Sequence, residues 1–122
     1  MNKFIKTFFV LALITPATIF SYEFSAMTLN VDNLFDTLDD VKKDDKAYLP
    51  IQLKQSDAHK KSCNRIRVNS WKNECLYLDW NEDTKNAKLI NIANSILSYG
   101  SKGPDIIALQ EVENNNILNQ LL

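Results

Sequence analysis

The chain has 122 residues, 45% of them apolar, and sets 14 Lys+Arg against 15 Asp+Glu. That length holds one small domain or a piece of a larger one. The even charge excludes a strongly basic nucleic-acid binder of the histone type, though not a local basic groove on a neutral protein, and two Gly with three Pro exclude collagen-like or Gly/Pro-rich disordered chains.

Residues 1–21 read as a secretory signal. Lys3 and Lys6 give a positive start, and Phe8-Phe9-Val10-Leu11-Ala12-Leu13-Ile14 is an apolar run too short to span a bilayer, which takes about 20 residues. Pro16 breaks any helix behind it. Cleavage fits either Thr15-Pro16-Ala17 or Ser21 before Tyr22; an uncleaved N-terminal anchor is the rival. No cysteine directly follows the apolar run, which argues against a lipid anchor. Removing 1–21 takes two lysines and no acid, moving the net charge from −1 to −3. The expectation is an exported protein, periplasmic or extracellular, monomeric and without a stable membrane anchor.

Phe24 to Val31 alternates imperfectly and ends in Asp32-Asn33, the pattern of a strand that finishes in polar residues. Leu34-Phe35-Asp36-Thr37 begins a turn or short helix. Residues 38–82 show no clean period and read as a long irregular stretch, which in a compact domain is functional or stapled. Its mixed charge run, Asp39 to Lys46, reads as solvated surface. Cys63 and Cys75, an even pair in an oxidising compartment, read as one disulfide, worth about 3 kcal/mol for so short a loop. The rival is a zinc site of His59, Cys63 and Cys75, which needs a fourth ligand and usually a closer cysteine pair. His59, the lone histidine, reads as a surface or packing residue. Trp71, Tyr77, Leu78 and Trp80 are expected to pin the second half of the stretch to the core.

Asp83 or Thr84 can cap a helix whose Leu89, Ile92, Ala93, Ile96 and Leu97 form one apolar face. Gly100 and Gly103-Pro104 stop it. Asp105 to Gln110 is a short apolar run of the buried-strand type, ending in Glu111-Val112-Glu113-Asn114. Asn114 or Asn115 can cap a last helix carrying Ile117, Leu118, Leu121 and Leu122. The order strand, long loop, helix, strand, helix is an α/β pattern. Two strands with helices on one side bury little surface, so the chain is expected to be the N-terminal part of a larger domain.

Two polar clusters end the strands, Asn30-Val31-Asp32-Asn33 and Gln110-Glu111-Val112-Glu113. If the strands are neighbours, both clusters meet at the C-terminal edge of the sheet, where α/β proteins bind ligands. A carboxylate and an amide oxygen there suit a hard cation such as Mg²⁺. The plainer alternative is that Asp32 and Glu111 are solvated strand ends.

Met27-Thr28-Leu29-Asn30-Val31-Asp32-Asn33-Leu34-Phe35-Asp36, with Pro104-Asp105-Ile106-Ile107-Ala108-Leu109-Gln110-Glu111-Val112-Glu113-Asn114, resembles the opening of the endonuclease/exonuclease/phosphatase superfamily. That group includes deoxyribonucleases, abasic-site endonucleases, bacterial sphingomyelinases and inositol polyphosphate phosphatases. Tyr48-Leu49-Pro50, Asp79-Trp80 and Lys88-Leu89 are similar to secreted bacterial nuclease-like members. The resemblance runs from about Met27 to Leu122. It implies the N-terminal part of a four-layer α/β sandwich with two central sheets, over residues 22–122. It implies that Glu111 ligates Mg²⁺ (Mn²⁺ or Ca²⁺ as alternatives), that Asn30 is catalytic beside metal and phosphate, that Asp32 touches the metal shell and that Gln110 orients the site. The substrate implied is nucleic acid, bound with help from Arg65, Arg67 and Lys72. The alternatives are a sphingolipid or inositol phosphate substrate, or a non-catalytic truncated product. The superfamily's general base is an Asp-oriented His in a later motif; His59 precedes Glu111 and does not match it, so this stretch alone is expected to be inactive.

Overall fold

The structure is a computed structural model describing residues 22–40 and 42–122; the expected signal segment, 1–21, lies outside the described residues. Strand β1 spans Ala26–Leu34 and strand β2 spans Ile106–Val112. They pair in parallel, in register from Ala26↔Ile106 to Asn30↔Gln110 and again at Leu34↔Val112. Helices α1 (Asp57–Cys63), α2 (Asn69–Tyr77), α3 (Glu82–Leu97) and α4 (Asn115–Leu121) complete a mixed α/β arrangement, with a 3₁₀ turn at Ile51–Lys54. None of the described helices is long and apolar enough to cross a membrane.

The core lies on one face of the sheet. Val31 and Leu34 from β1 meet Leu89 and Ile92 of α3 and Ile117 of α4, with Leu29, Leu109, Val112, Ile96 and Leu121 packed around them. The periodicity expected of α3 is what docks it. Its cap is Asn81, whose Oδ1 accepts the Thr84 N–H at 3.0 Å, so Asp83 and Thr84 belong to the first turn instead. Glu82 and Asp83 there face the positive end of the helix dipole. Gly100 and Gly103, at φ +64° and +76°, make the left-handed exit. Asn114 caps α4 through the Ile117 N–H at 3.0 Å.

The expectation that 105–110 forms a fully buried strand is corrected. Burial alternates along β2, and Ile106 is 57% exposed. Among the described residues, helices cover only one face, so Thr28, Asn30, Ala108 and Gln110 face outward.

The stretch 38–82 is also more ordered than its sequence suggests. α1 and α2 have 7 and 9 residues, too short to display a clear period and marginal in isolation. Tertiary ties hold them. The Cys63–Cys75 disulfide joins them with Cα atoms 5.6 Å apart. Lys54, 1% exposed, donates from Nζ to the carbonyls of Ala47 at 2.7 Å, Glu74 at 3.1 Å and Leu78 at 2.6 Å. Asp79 accepts the Ile51 N–H at 2.9 Å. Trp80 is buried as expected and donates to the Phe35 carbonyl at 3.2 Å, but Trp71 and Tyr77 stay exposed. The charge run is not all surface either: Asp45 is buried and accepts the Asp40 N–H at 2.7 Å.

Candidate metal and phosphate site at the strand ends

The parallel register places the two polar clusters side by side. Between Asn30/Gln110 and Leu34/Val112, β1 inserts Val31, Asp32 and Asn33 opposite the single residue Glu111. This bulge forces Asp32, Asn33 and Glu111 to φ of 53°, 63° and 62°. Left-handed backbone costs an L-residue roughly 1–2 kcal/mol. Three such residues at one spot mark strain concentrated where strand ends are re-aimed.

The re-aiming brings the side chains together. Asn30 Nδ2 donates to Glu111 Oε1 at 2.6 Å, and the Asn33 N–H donates to Glu111 Oε2 at 3.2 Å. Asn30 Oδ1 accepts the Asp32 N–H at 2.8 Å, locking the loop. Each Glu111 oxygen thus has one donor and keeps lone-pair capacity on a solvent-facing carboxylate. Asp32, two residues after Asn30, is exposed on the same bulge. Gln110 turns away, donating from Nε2 to Thr28 Oγ1 at 2.7 Å on the outer sheet face. Glu113 goes inward. Its Oε2 accepts the Asp36 N–H at 3.0 Å and its Oε1 is buried without a partner. Burial pushes the Glu113 carboxyl up, and Asp36, Asp45 and Asp40 add to it. Burial also pushes Asp36 up, but hydrogen bonds from Asn116, the Leu38 N–H and Asn114 outweigh it and hold Asp36 below the ordinary carboxylate range.

Sequence reasoning missed two residues at this site. Lys88, one face of α3 away from the core, donates from Nζ to the Asp32 carbonyl and lies 5.8 Å from the Trp80 ring centroid. Tyr48 stacks on Phe35 with centroids 4.2 Å apart and meets Trp80 edge-on at 5.4 Å. Burial raises the Tyr48 hydroxyl pKa, and Glu74, Asp32 and Glu111 reinforce it. Both residues had appeared only as parts of a resemblance, with no periodicity to point at the strand ends.

A groove runs from Asn33 past Tyr48, Lys46 and Trp71, with a volume of about 360 Å³. It shares Asp44, Lys46, Ile66 and Cys75 with a second hollow of about 460 Å³ that reaches Lys42 and Lys43. Lys42, Lys43 and Lys46, with Asp44 and Glu74 among them and a Trp71 indole that is 62% exposed, therefore line two joined hollows that reach Asn33 at the bulge. Arg65 and Arg67 are exposed on the α1–α2 segment, and Lys72 is half-buried in α2; none of the three lines this groove. His59 is distant in role as well as sequence: it packs against Cys63 and Cys75.

No protein-family model, curated protein or solved structure matches the chain.

Proposed function

We propose that this chain is part of an exported, Mg²⁺-dependent phosphodiesterase of the endonuclease/exonuclease/phosphatase type, acting on nucleic acid, with residues 22–122 contributing to a four-layer sandwich. The observation that carries the proposal is the Asn30–Glu111 contact at the ends of two parallel strands. A strained bulge supports it. The donor set fits Mg²⁺, a hard cation that binds through one or two carboxylates and completes its shell with water and substrate phosphate. Glu111 is the first ligand and Asp32 the second contact. Asn30 spends both ends of its amide on Glu111 and the Asp32 N–H, so its first task is to orient the carboxylate. Gln110 supports the outer sheet face through Thr28.

A bound Mg²⁺ would supply charge neutralisation for the phosphorane oxygens and the leaving oxygen. The chain's own groups do the rest. Glu111 and Asp32 fix the position at which a phosphate docks. The joined hollows carry Lys42, Lys43 and Lys46 against Asp44 and Glu74, a slight positive excess, and Trp71 offers a face on which a base can stack. The exposed indole is the feature that favours nucleic acid over a lipid headgroup.

The test is Mn²⁺ titration of the ¹⁵N-labelled chain. The side-chain amide of Asn30 and the backbone amide of Asn33 should broaden first, and Glu111→Gln should weaken binding at least tenfold. Equal broadening in Glu111→Gln, or broadening centred elsewhere, would overturn the metal assignment. Nicking of supercoiled plasmid by the complete gene product, abolished by Glu111→Ala, tests the activity.

A further inference from the structure

His59 and Cys63 stand four residues apart on α1, one turn, and so share a helix face. Cys75 comes from α2 to meet them. His59 Nε2 lies 3.2 Å from Cys63 Sγ and 2.9 Å from the Cys75 carbonyl. The imidazole nitrogen and the two sulfurs all lie within 4.8 Å of one another. Among the described residues this is the sole trio of His, Cys, Asp or Glu so placed. Both cysteines are buried and His59 is half-buried, so the trio lies largely out of solvent. The hydrogen bond from His59 to the Cys75 carbonyl holds the imidazole nitrogen beside both sulfurs, so the third ligand is already in place when the disulfide opens.

We propose that Cys63, Cys75 and His59 form a redox-gated site for Zn²⁺, closed as the disulfide and opened on reduction. The reductant is a dithiol, which passes two electrons and two protons to the Cys63–Cys75 bond and is itself oxidised to a disulfide. Zn²⁺ then displaces the two thiol protons and takes two thiolates and His59 Nε2 as ligands. Zn–S and Zn–N distances of about 2.3 Å and 2.0–2.1 Å place three ligand atoms around one ion within the 4.8 Å span. A water would complete the fourth position. His59 Nε2 gives up its hydrogen bond to the Cys75 carbonyl, its proton passing to Nδ1 so that the Nε2 lone pair is free for the metal. The site differs from the Glu111 cluster in ligand chemistry and in the elements that carry it, α1 and α2 in place of the strand ends, and does not depend on the phosphodiesterase proposal.

The experiment uses the whole chain, reduced with a phosphine, freed of reductant without air, and titrated with Zn²⁺ against a chromophoric chelator. One Zn²⁺ per reduced chain is expected and none per oxidised chain. His59→Ala, reduced in the same way, should weaken Zn²⁺ at least tenfold with its helical circular dichroism unchanged. Co²⁺ in place of Zn²⁺ should give the visible bands of a tetrahedral thiolate site. The proposal is overturned if the reduced chain takes no stoichiometric Zn²⁺, if the oxidised chain binds as well, or if His59→Ala binds like the parent. Should reduction melt the helices, Zn²⁺ must restore them; failure to do so also overturns it.

Discussion

Lys54 offers the sharpest test of the packing argument. It is 1% exposed, and its ammonium spends all three N–H groups on the Ala47, Glu74 and Leu78 carbonyls. Burial lowers its pKa from 10.5 to about 8, with Asp79 opposing. Since the folded pKa lies below the unfolded one, the unfolded chain binds the proton more tightly between about pH 8 and 10.5. Stability from this group therefore rises with pH across that window. The displacement corresponds to about 3 kcal/mol. Lys54→Met keeps an apolar stem of similar length and has no proton to lose. It also strips a donor from the Ala47 and Leu78 carbonyls, at roughly 1–3 kcal/mol each, while the Glu74 carbonyl keeps the Leu78 N–H. At pH 7 these effects oppose one another, so the diagnostic is the slope. Urea unfolding followed by tryptophan fluorescence, from pH 7 to 10.5, should show the parent gaining about 3 kcal/mol on Lys54→Met. A flat or falling difference would mean that the three carbonyls, and not desolvation, set the proton affinity.

Two further outcomes follow from the strand ends. Glu113 carries an unpartnered buried oxygen and a carboxyl pushed up by burial. Its folded pKa lies above the unfolded one, so its charge costs stability at neutral pH and the cost fades as pH falls. Glu113→Gln, which can still accept the Asp36 N–H, should unfold at higher urea than the parent at pH 7, with the advantage gone near pH 4; a loss of stability at pH 7 would contradict this. Glu111 sits at φ 62°, where glycine is unstrained and alanine is not. Glu111→Gly should be more stable than Glu111→Ala by about 1 kcal/mol, although both abolish Mn²⁺ binding. Equal stability would show that the bulge stores no strain at this residue.

The sequence was legible where a single physical rule acts alone. Leu89, Ile92 and Ile96 repeat at helical spacing, and α3 docks on that face. Asn114 offers a cap ahead of an apolar pair, and it caps α4. Two strands ending in Asn30-Val31-Asp32-Asn33 and Gln110-Glu111 are neighbours in one parallel sheet, so the polar clusters meet. Where rules compete, the sequence misleads. Asp45 belongs to a charge run that reads as solvated and Lys54 to a stretch without a period, yet both are buried because backbone groups 5 to 24 residues away come to meet them. α1 and α2 are too short for periodicity and owe their order to a disulfide and a lysine. The bulge is only half marked: Asp32-Asn33 are residue types that accept left-handed backbone, but nothing local marks Glu111, whose φ of 62° is demanded by the pairing of three β1 residues against one in β2.

That demand explains why the strand ends hold their shape with protein groups alone. A carboxylate waiting for a cation would ordinarily swing free on a strained loop. Here the loop after β1 is tied at three points. Asp36 accepts Asn114 and Asn116 at 3.2 and 2.9 Å, which fastens it to the start of α4. Glu113 accepts the Asp36 N–H, and the Lys43 ammonium donates to the Glu113 carbonyl at 3.0 Å. Lys88 holds the Asp32 carbonyl from the α3 side. Some of these bonds are partly buried and others exposed, and none of them uses Glu111 or the Asp32 carboxylate. The strain at Asp32, Asn33 and Glu111 is thus balanced by packing and hydrogen bonds in the interior, and the solvent-facing carboxylates remain oriented and open. Glu111 is held separately, at the bulge itself, by Asn30 Nδ2 and the Asn33 N–H, so the interior ties and the strand-end carboxylate do not compete for the same donors.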